Sequence, residues 1–113
     1  MSRRHEVRLW VAQRATAVVL GFCVLVHLIT IIYAVRGGLT AGEILARTRG
    51  SVMWASFYVI FVLAVSVHGA VGLRAIALEW LGLRGRALEW GAAVVALLLA
   101  AGGLRAVMAV FVR

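Results

Sequence analysis

Two histidines lie inside long uncharged segments of this sequence, and they are the side chains best suited to chemistry. His68 lies in residues 50–73 and His27 in residues 15–35, and neither segment contains Asp, Glu, Lys or Arg. Ionisable groups are rare in such segments, and where they occur they mark functional sites. Both histidines are therefore candidate ligands of a cofactor.

The residues that follow His68 form one face of a predicted helix. At about 100° of rotation per residue, the positions on this face are His68, Gly72, Ala75 and Glu79. The face combines a candidate ligand, two small residues and an acid. We expect it to form a narrow slot in which a flat cofactor lies edge-on against the backbone.

Haem b is the cofactor that these histidines suit best. A neutral imidazole is a good iron ligand, and a porphyrin within a membrane requires only axial histidines and apolar walls. Zinc would require three or four clustered nitrogen or sulfur ligands, which the sequence lacks. The alternative for either histidine is a hydrogen bond between helices, and the sequence leaves both roles open.

The composition is that of an integral membrane protein. Hydrophobic residues make up 65% of the 113 positions, the mean hydropathy is +1.05 and proline is absent. A soluble chain of this length could not bury so much apolar surface, because small domains bury the smallest share of theirs. Two uncharged segments have the length of about 20 residues that crosses the hydrocarbon core. A third, 90–104, crosses it if Arg105 is accommodated.

The sequence therefore predicts a single all-α membrane domain over residues 1–113. Thr40 and Glu43 form a capping-box pattern, which predicts a short helix between the first two spans. The predicted elements are transmembrane helices near 12–36, 51–80 and 88–112, and an interfacial helix near 41–48.

The formal charge of +8 comes from arginines, since the sequence contains no lysine. They cluster between the apolar segments, where membrane topology and anionic lipid headgroups account for them, so a nucleic-acid partner is not expected. Seven arginines lie in the N-terminal segment and second loop, against four in the first loop and at the C-terminus. Because positively charged loops remain in the cytoplasm, this difference predicts a cytoplasmic N-terminus.

The flanking charges predict different depths for the two histidines. His68 lies eleven residues before Glu79, toward the cytoplasmic half of its helix, whereas His27 lies nine residues before Arg36, toward the outer half. At 1.5 Å per residue we expect a height difference of ~5–10 Å, so the two would not bind the same iron within one chain. Each histidine then needs a second ligand from a partner subunit.

Two stretches resemble the membrane-anchor subunits of succinate dehydrogenase and fumarate reductase. HGAVGLR, residues 68–74, with the acid Glu79, is similar to the second-helix motif of the cytochrome b subunit. QRATAVVL, residues 13–20, is similar to the start of helix one in the small anchor subunit. The three-helix layout of the whole chain agrees with this family.

The resemblance implies roles for several residues. His68 would be an axial haem ligand, and Arg74 would pair with a haem propionate. The quinone would lie near Arg14, Glu79 and Trp80. The small anchor subunit commonly has a tyrosine where this chain has Trp80, and an indole N–H can donate a hydrogen bond but cannot pass on a proton as a tyrosine does. Glu79 would either relay a proton to the quinone or neutralise charge beside Arg74.

The resemblance also implies a complex in the bacterial inner membrane. A second membrane-anchor subunit would complete the haem site, and flavoprotein and iron–sulfur subunits would exchange electrons with quinone through haem b. The chain would then be a subunit of an oxidoreductase that contributes to catalytic turnover without carrying it alone. In relatives with two haems, helix one supplies a ligand to the outer haem, which implies that role for His27. Arg105 would either reach the outer interface or pair with a propionate of that haem.

The sequence leaves two other functions open. One is a haem-free structural anchor of a fumarate reductase-type complex, in which the histidines only bridge helices. The other is a small unrelated membrane protein such as a transporter. A transporter would need a polar pathway along all three helices, and the third helix offers only Arg105.

Overall fold

The computed structural model describes residues 2–38 and 40–112, which form four α-helices and, within these ranges, no strand. The helices are α1 (Arg3–Arg36), α2 (Ala41–Thr48), α3 (Val52–Trp80) and α4 (Arg86–Val112). Helices α1, α3 and α4 are long and apolar enough to cross a membrane. The predicted all-α fold with three transmembrane helices is therefore confirmed.

Helix α1 begins nine residues before the start expected from hydropathy. The side chain of Ser2 accepts a hydrogen bond from the backbone N–H of His5 at 3.3 Å, and Glu6 lies in the first turn, where the helix dipole favours negative charge. Hydropathy marks where the apolar surface begins, whereas the cap marks where the helix begins. At 1.5 Å per residue α1 is about 50 Å long, so its first turns extend beyond the hydrocarbon core.

Helix α2 coincides with the short helix predicted at residues 41–48. The Oγ1 atom of Thr48 donates a hydrogen bond to the carbonyl of Val110 at 2.9 Å. The backbone N–H of Gly50 donates to the carbonyl of Phe111, also at 2.9 Å. The last carbonyls of a helix have no partner within that helix, so these two bonds tie the first loop to the end of α4.

Helix α3 is the central element, because it packs along both α1 and α4. Its close approach to α4 depends on a glycine: a Cβ added to Gly103 would lie 2.5 Å from Cγ1 of Val62. Small residues allow transmembrane helices to approach each other in this way. The buried residues of α3 are Ala64, Ser66, Ala70 and Arg74.

A short turn reverses the chain between α3 and α4. Gly82 and Gly85 have φ angles of +68° and +79°, a left-handed conformation that glycine adopts without steric cost. The reversal brings the first turn of α4, which contains Glu89, next to Arg74 on α3.

Most of the outer surface of the bundle is apolar. Large side chains such as Val18, Phe22, Leu97 and Leu98 are exposed along the middle of α1 and α4. An apolar surface of this extent marks contact with a membrane or with partner proteins. The few polar side chains between the helices are therefore the informative ones.

Candidate functional site

His68 lies on the side of α3 that faces α1, where its ring contacts a threonine. His68 Nδ1 and Thr16 Oγ1 are 3.3 Å apart. The same hydroxyl lies 2.7 Å from the carbonyl oxygen of Ala12, one helical turn earlier. A hydroxyl has one proton to donate, and the shorter contact to Ala12 takes it, so the oxygen accepts the Nδ1–H of His68. The Nε2 lone pair of His68 is thus left to bind a metal, and no hydrogen bond to Nε2 occurs within the described residues.

The slot expected beside Gly72 is filled by a side chain of α1. A Cβ added to Gly72 would lie 3.4 Å from Nε2 of Gln13, so the glycine accommodates the glutamine instead of leaving an open groove. The Oε1 atom of Gln13 is buried and has no hydrogen-bond partner in the part of the chain that the structure describes. Buried polar atoms are nearly always paired, so this oxygen is an acceptor that a ligand near His68 can use.

Four polar side chains form a second site at the end of the bundle, which we call the ionic cluster: His5, Glu6, Arg74 and Glu89. Arg74 Nη2 lies 2.7 Å from Oε1 of Glu89 and 2.9 Å from Oε1 of Glu6. His5 Nε2 lies 3.0 Å from Oε2 of Glu89. Only 6% of Arg74 is exposed, so the two carboxylates offset the cost of removing its guanidinium from water. The cluster joins α1, α3 and α4.

The two acids of this cluster belong to no motif in the sequence. The sequence nevertheless contains a signal for these partners of Arg74. Glu6 and Glu89 are two of only four acids, and the predicted topology places both on the same side of the membrane as Arg74. Glu79 is exposed and makes no ion pair within the described residues, so the charge of Arg74 is neutralised by the other two acids. The pairing of Arg74 with a haem propionate stays a prediction.

His27 forms a separate site between α1 and α3. Its Nδ1 atom is 3.3 Å from the hydroxyl of Tyr58, and its ring packs edge-on against Tyr58 and Phe61 at centroid distances of 5.8 and 5.5 Å. These three residues border an open apolar cavity of ≈ 450 Å³, which residues of α2 and α4 also line. A cavity of this size falls within the range of small-molecule sites.

The two histidines lie at clearly different depths. Thr16 is level with His68 and Tyr58 is level with His27, while Thr16 and His27 are eleven positions apart on α1. At 1.5 Å per residue this separates the sites by about 15 Å along the bundle, more than the expected difference. Arginines are imprecise markers of depth, because their long side chains reach the interface from within a helix. The two histidines therefore belong to separate places in the bundle.

The structure does not bring the predicted quinone residues together. Arg14 is exposed on α1, and Glu79 and Trp80 are exposed at the end of α3, where Trp80 is 82% exposed. Because Gln13 packs on Gly72, Arg14 is level with a part of α3 about 10 Å from Glu79 along the helix axis. A pocket that contains all three residues would need another subunit.

Neither histidine belongs to a cluster of metal ligands. Across residues 2–38 and 40–112, no three His, Cys, Asp or Glu side chains lie close enough to hold a metal ion. Arg105, the candidate propionate partner near the outer end, is exposed on α4 and makes no ion pair within the same residues. Each histidine can supply one ligand, which suits an iron whose other ligands come from a macrocycle and a second chain.

Three membrane-crossing helices, whose buried polar groups face one another between the helices, define a multi-pass integral membrane protein. The family of succinate dehydrogenase/fumarate reductase transmembrane subunits matches residues 1–104 of the chain, and the chain belongs to this family. It is a membrane subunit of a multi-subunit succinate dehydrogenase or fumarate reductase complex. Comparisons with curated proteins and with solved structures found no match. The resemblance seen in residues 13–20 and 68–74 is thereby confirmed at the level of the family.

Proposed function

We propose that the chain is a haem b-binding anchor subunit of a succinate:quinone oxidoreductase, and that His68 is an axial ligand of the haem iron. The observation that carries the proposal is the 3.3 Å contact between His68 Nδ1 and Thr16 Oγ1. Histidines that bind metals usually donate their second ring N–H to such an acceptor, which sets the tautomer and the ring orientation. A histidine that only bridges helices would make the same bond, and haem content separates the two roles.

The residues around His68 fit this cofactor. Its Nε2 atom makes no hydrogen bond within the described residues, and the buried Oε1 of Gln13 adds an unpaired acceptor one turn from Thr16 on α1. Exposed apolar side chains of α3 before and after His68, such as Val67 and Leu73, would form walls for a porphyrin. When bound, haem b would supply one-electron chemistry between iron–sulfur clusters and quinone. The chain itself would bind the iron through His68, orient the imidazole through Thr16 and exclude water.

The partners that we propose follow from the family. A second membrane-anchor subunit would supply the other axial ligand, because this chain presents one histidine at this depth. The flavoprotein and iron–sulfur subunits would bind at the end that contains the ionic cluster, on the cytoplasmic side of a bacterial inner membrane. Quinone would react near Arg14, Glu79 and Trp80, in a pocket that another subunit completes.

We also propose a second, outer haem at His27. This histidine lies about 15 Å from His68 along the bundle and borders its own cavity of ≈ 450 Å³. Its Nδ1 contacts Tyr58, so Nε2 is the atom that would reach an iron. Arg105 would pair with a propionate of this haem. At the inner site, Arg74 would pair with a haem propionate.

Haem content of the intact complex tests both sites. We expect His68→Leu and His27→Leu each to lose one b-type haem, measured by the reduced-minus-oxidised spectrum and by extraction of the pigment. His5→Leu is the matched control, because His5 lies in the ionic cluster, and it should retain both haems. A wild-type complex without a b-type spectrum would contradict haem binding and favour the haem-free anchor. Full haem content in His27→Leu would contradict the outer site alone.

A further inference from the structure

We propose that Thr16 is a positioning residue that holds His68 with its Nδ1 protonated and its Nε2 directed at the haem iron. The inference rests on the proposed role of His68 as a haem ligand. The residue that would orient the ligand lies on α1, whereas the ligand itself lies on α3. Thr16 would touch neither the iron nor the substrate and would act through His68.

The direction of the hydrogen bond follows from the partners of the Thr16 hydroxyl. Its oxygen lies 2.7 Å from the carbonyl of Ala12 and 3.2 Å from the carbonyl of Gln13, and both carbonyls can only accept. The single hydroxyl proton is therefore used by the backbone of α1, and a lone pair of the oxygen points to His68. An imidazole that donates from Nδ1 is neutral only if its Nε2 is unprotonated, which is the form that binds iron.

The backbone of α1 holds this acceptor in a defined place. Threonine is β-branched, so few side-chain rotamers are available in a helix, and the bond to the carbonyl one turn earlier selects among them. One turn away, Gln13 packs against Gly72 and sets the spacing between α1 and α3. The imidazole of His68 is consequently oriented from the neighbouring helix.

Loss of the acceptor has two expected effects on the haem. The proton of His68 is then free to move to Nε2, where it blocks the iron, so the haem is held less tightly. The hydrogen bond also makes the imidazole a stronger electron donor, and its loss favours the ferrous haem and raises the midpoint potential. Removal of such a partner commonly weakens metal binding by about 10- to 100-fold.

Three variants of the intact complex test this role. Thr16→Val preserves the side-chain shape and removes the acceptor, Thr16→Ser restores the acceptor, and Thr30→Val is the matched control. Thr30 also lies on α1 and also donates to the carbonyl one turn earlier, that of Val26 at 2.8 Å, but it bonds no histidine. We expect Thr16→Val to lose haem about tenfold more readily in detergent, to have a higher haem midpoint potential and to show altered EPR g-values of the ferric haem. Thr16→Ser and Thr30→Val should match the wild type.

The outcomes separate this inference from the proposed function. If His68→Leu removes a haem while Thr16→Val keeps wild-type haem retention, potential and g-values, His68 is a ligand and the role of Thr16 is refuted. If His68→Leu retains every haem, the proposed ligand is refuted and the role of Thr16 with it. A change in Thr16→Val that Thr16→Ser does not rescue, or that Thr30→Val shares, indicates general packing and also refutes the inference.

Discussion

Arg74 on α3 and Glu89 on α4 form an ion pair in which Nη2 and Oε1 are 2.7 Å apart, and the Nε of the same guanidinium donates to that oxygen at 2.8 Å. Glu6 on α1 lies 2.9 Å from the same Nη2, so one arginine connects all three transmembrane helices. Apolar surface does little to drive helices together in lipid, because lipid tails are as apolar as leucine. The ionic cluster is therefore a specific determinant of how the helices pack.

Removal of one carboxylate from the ionic cluster should destabilise the bundle. We expect Glu89→Gln to lower the stability of the detergent-solubilised complex by about 1.5–3 kcal/mol, the usual contribution of a hydrogen bond to a charged group. The side chain of Glu89 is 30% exposed, so the loss should stay below that for a fully buried pair. Thermal unfolding measures the change. Glu79→Gln is the matched control, since Glu79 is exposed, and equal melting temperatures for both variants would contradict the role of the pair.

The close contact between α3 and α4 should not tolerate a larger residue at Gly103. A Cβ at this position would lie 2.5 Å from Cγ1 of Val62, so Gly103→Ala should cost about 1–3 kcal/mol through overpacking. Val62→Ala in the same chain should recover most of that loss. Gly102→Ala is the control, because a Cβ at Gly102 would meet no atom within 4 Å. Equal losses of thermal stability in Gly102→Ala and Gly103→Ala would contradict the role of this contact, since helix propensity alone favours alanine at both positions.

The bond from the first loop to α4 should protect the end of that helix. Thr48→Val removes the hydrogen bond to the carbonyl of Val110, whose net contribution is about 1 kcal/mol. We expect amide hydrogen exchange in residues 106–112 to rise about fivefold, the factor that corresponds to this free energy. Thr30→Val, on α1, should leave exchange in this segment unchanged. Unaltered exchange in Thr48→Val would mean that α4 ends independently of the first loop.

The predicted orientation can be tested by labelling single cysteines in sealed spheroplasts. Cys23 is only 2% exposed and should remain unlabelled by a membrane-impermeant maleimide. Gly42→Cys on α2 is exposed with no atom within 4 Å of its added Cβ, and it should be labelled from the outside. Leu83→Cys in the second loop should be labelled only after the membrane is broken. The reverse pattern would contradict a cytoplasmic N-terminus.

Hydropathy and local capping chemistry predicted the four helices, but not the residue at which α1 begins. The uncharged segments have the length that a bilayer requires, and Thr40 with Glu43 predicts α2 at the residues where it occurs. Hydropathy did not predict that α1 begins at Arg3, because the first turns of this helix are polar and only the Ser2 cap marks them. His68 and His27 could be recognised as candidate ligands because each is the only histidine in a segment that lacks Asp, Glu, Lys and Arg.

Which residues contact these histidines is decided by the tertiary structure. In a soluble helix the apolar face is the buried one, but in lipid every outward face is apolar as well, so periodicity does not reveal which residues of α1 meet α3. Thr16 beside His68 and Gln13 against Gly72 are consequences of the register between these two helices.

The sequence by itself determined that this chain crosses the membrane three times and carries two isolated histidines within its apolar segments. Only the tertiary structure decided that Arg74 is neutralised by Glu6 and Glu89, residues 68 and 15 positions away in the chain. The physical reason is that a buried charge requires partners in space, and α1 and α4 bring those partners to α3 from distant parts of the sequence.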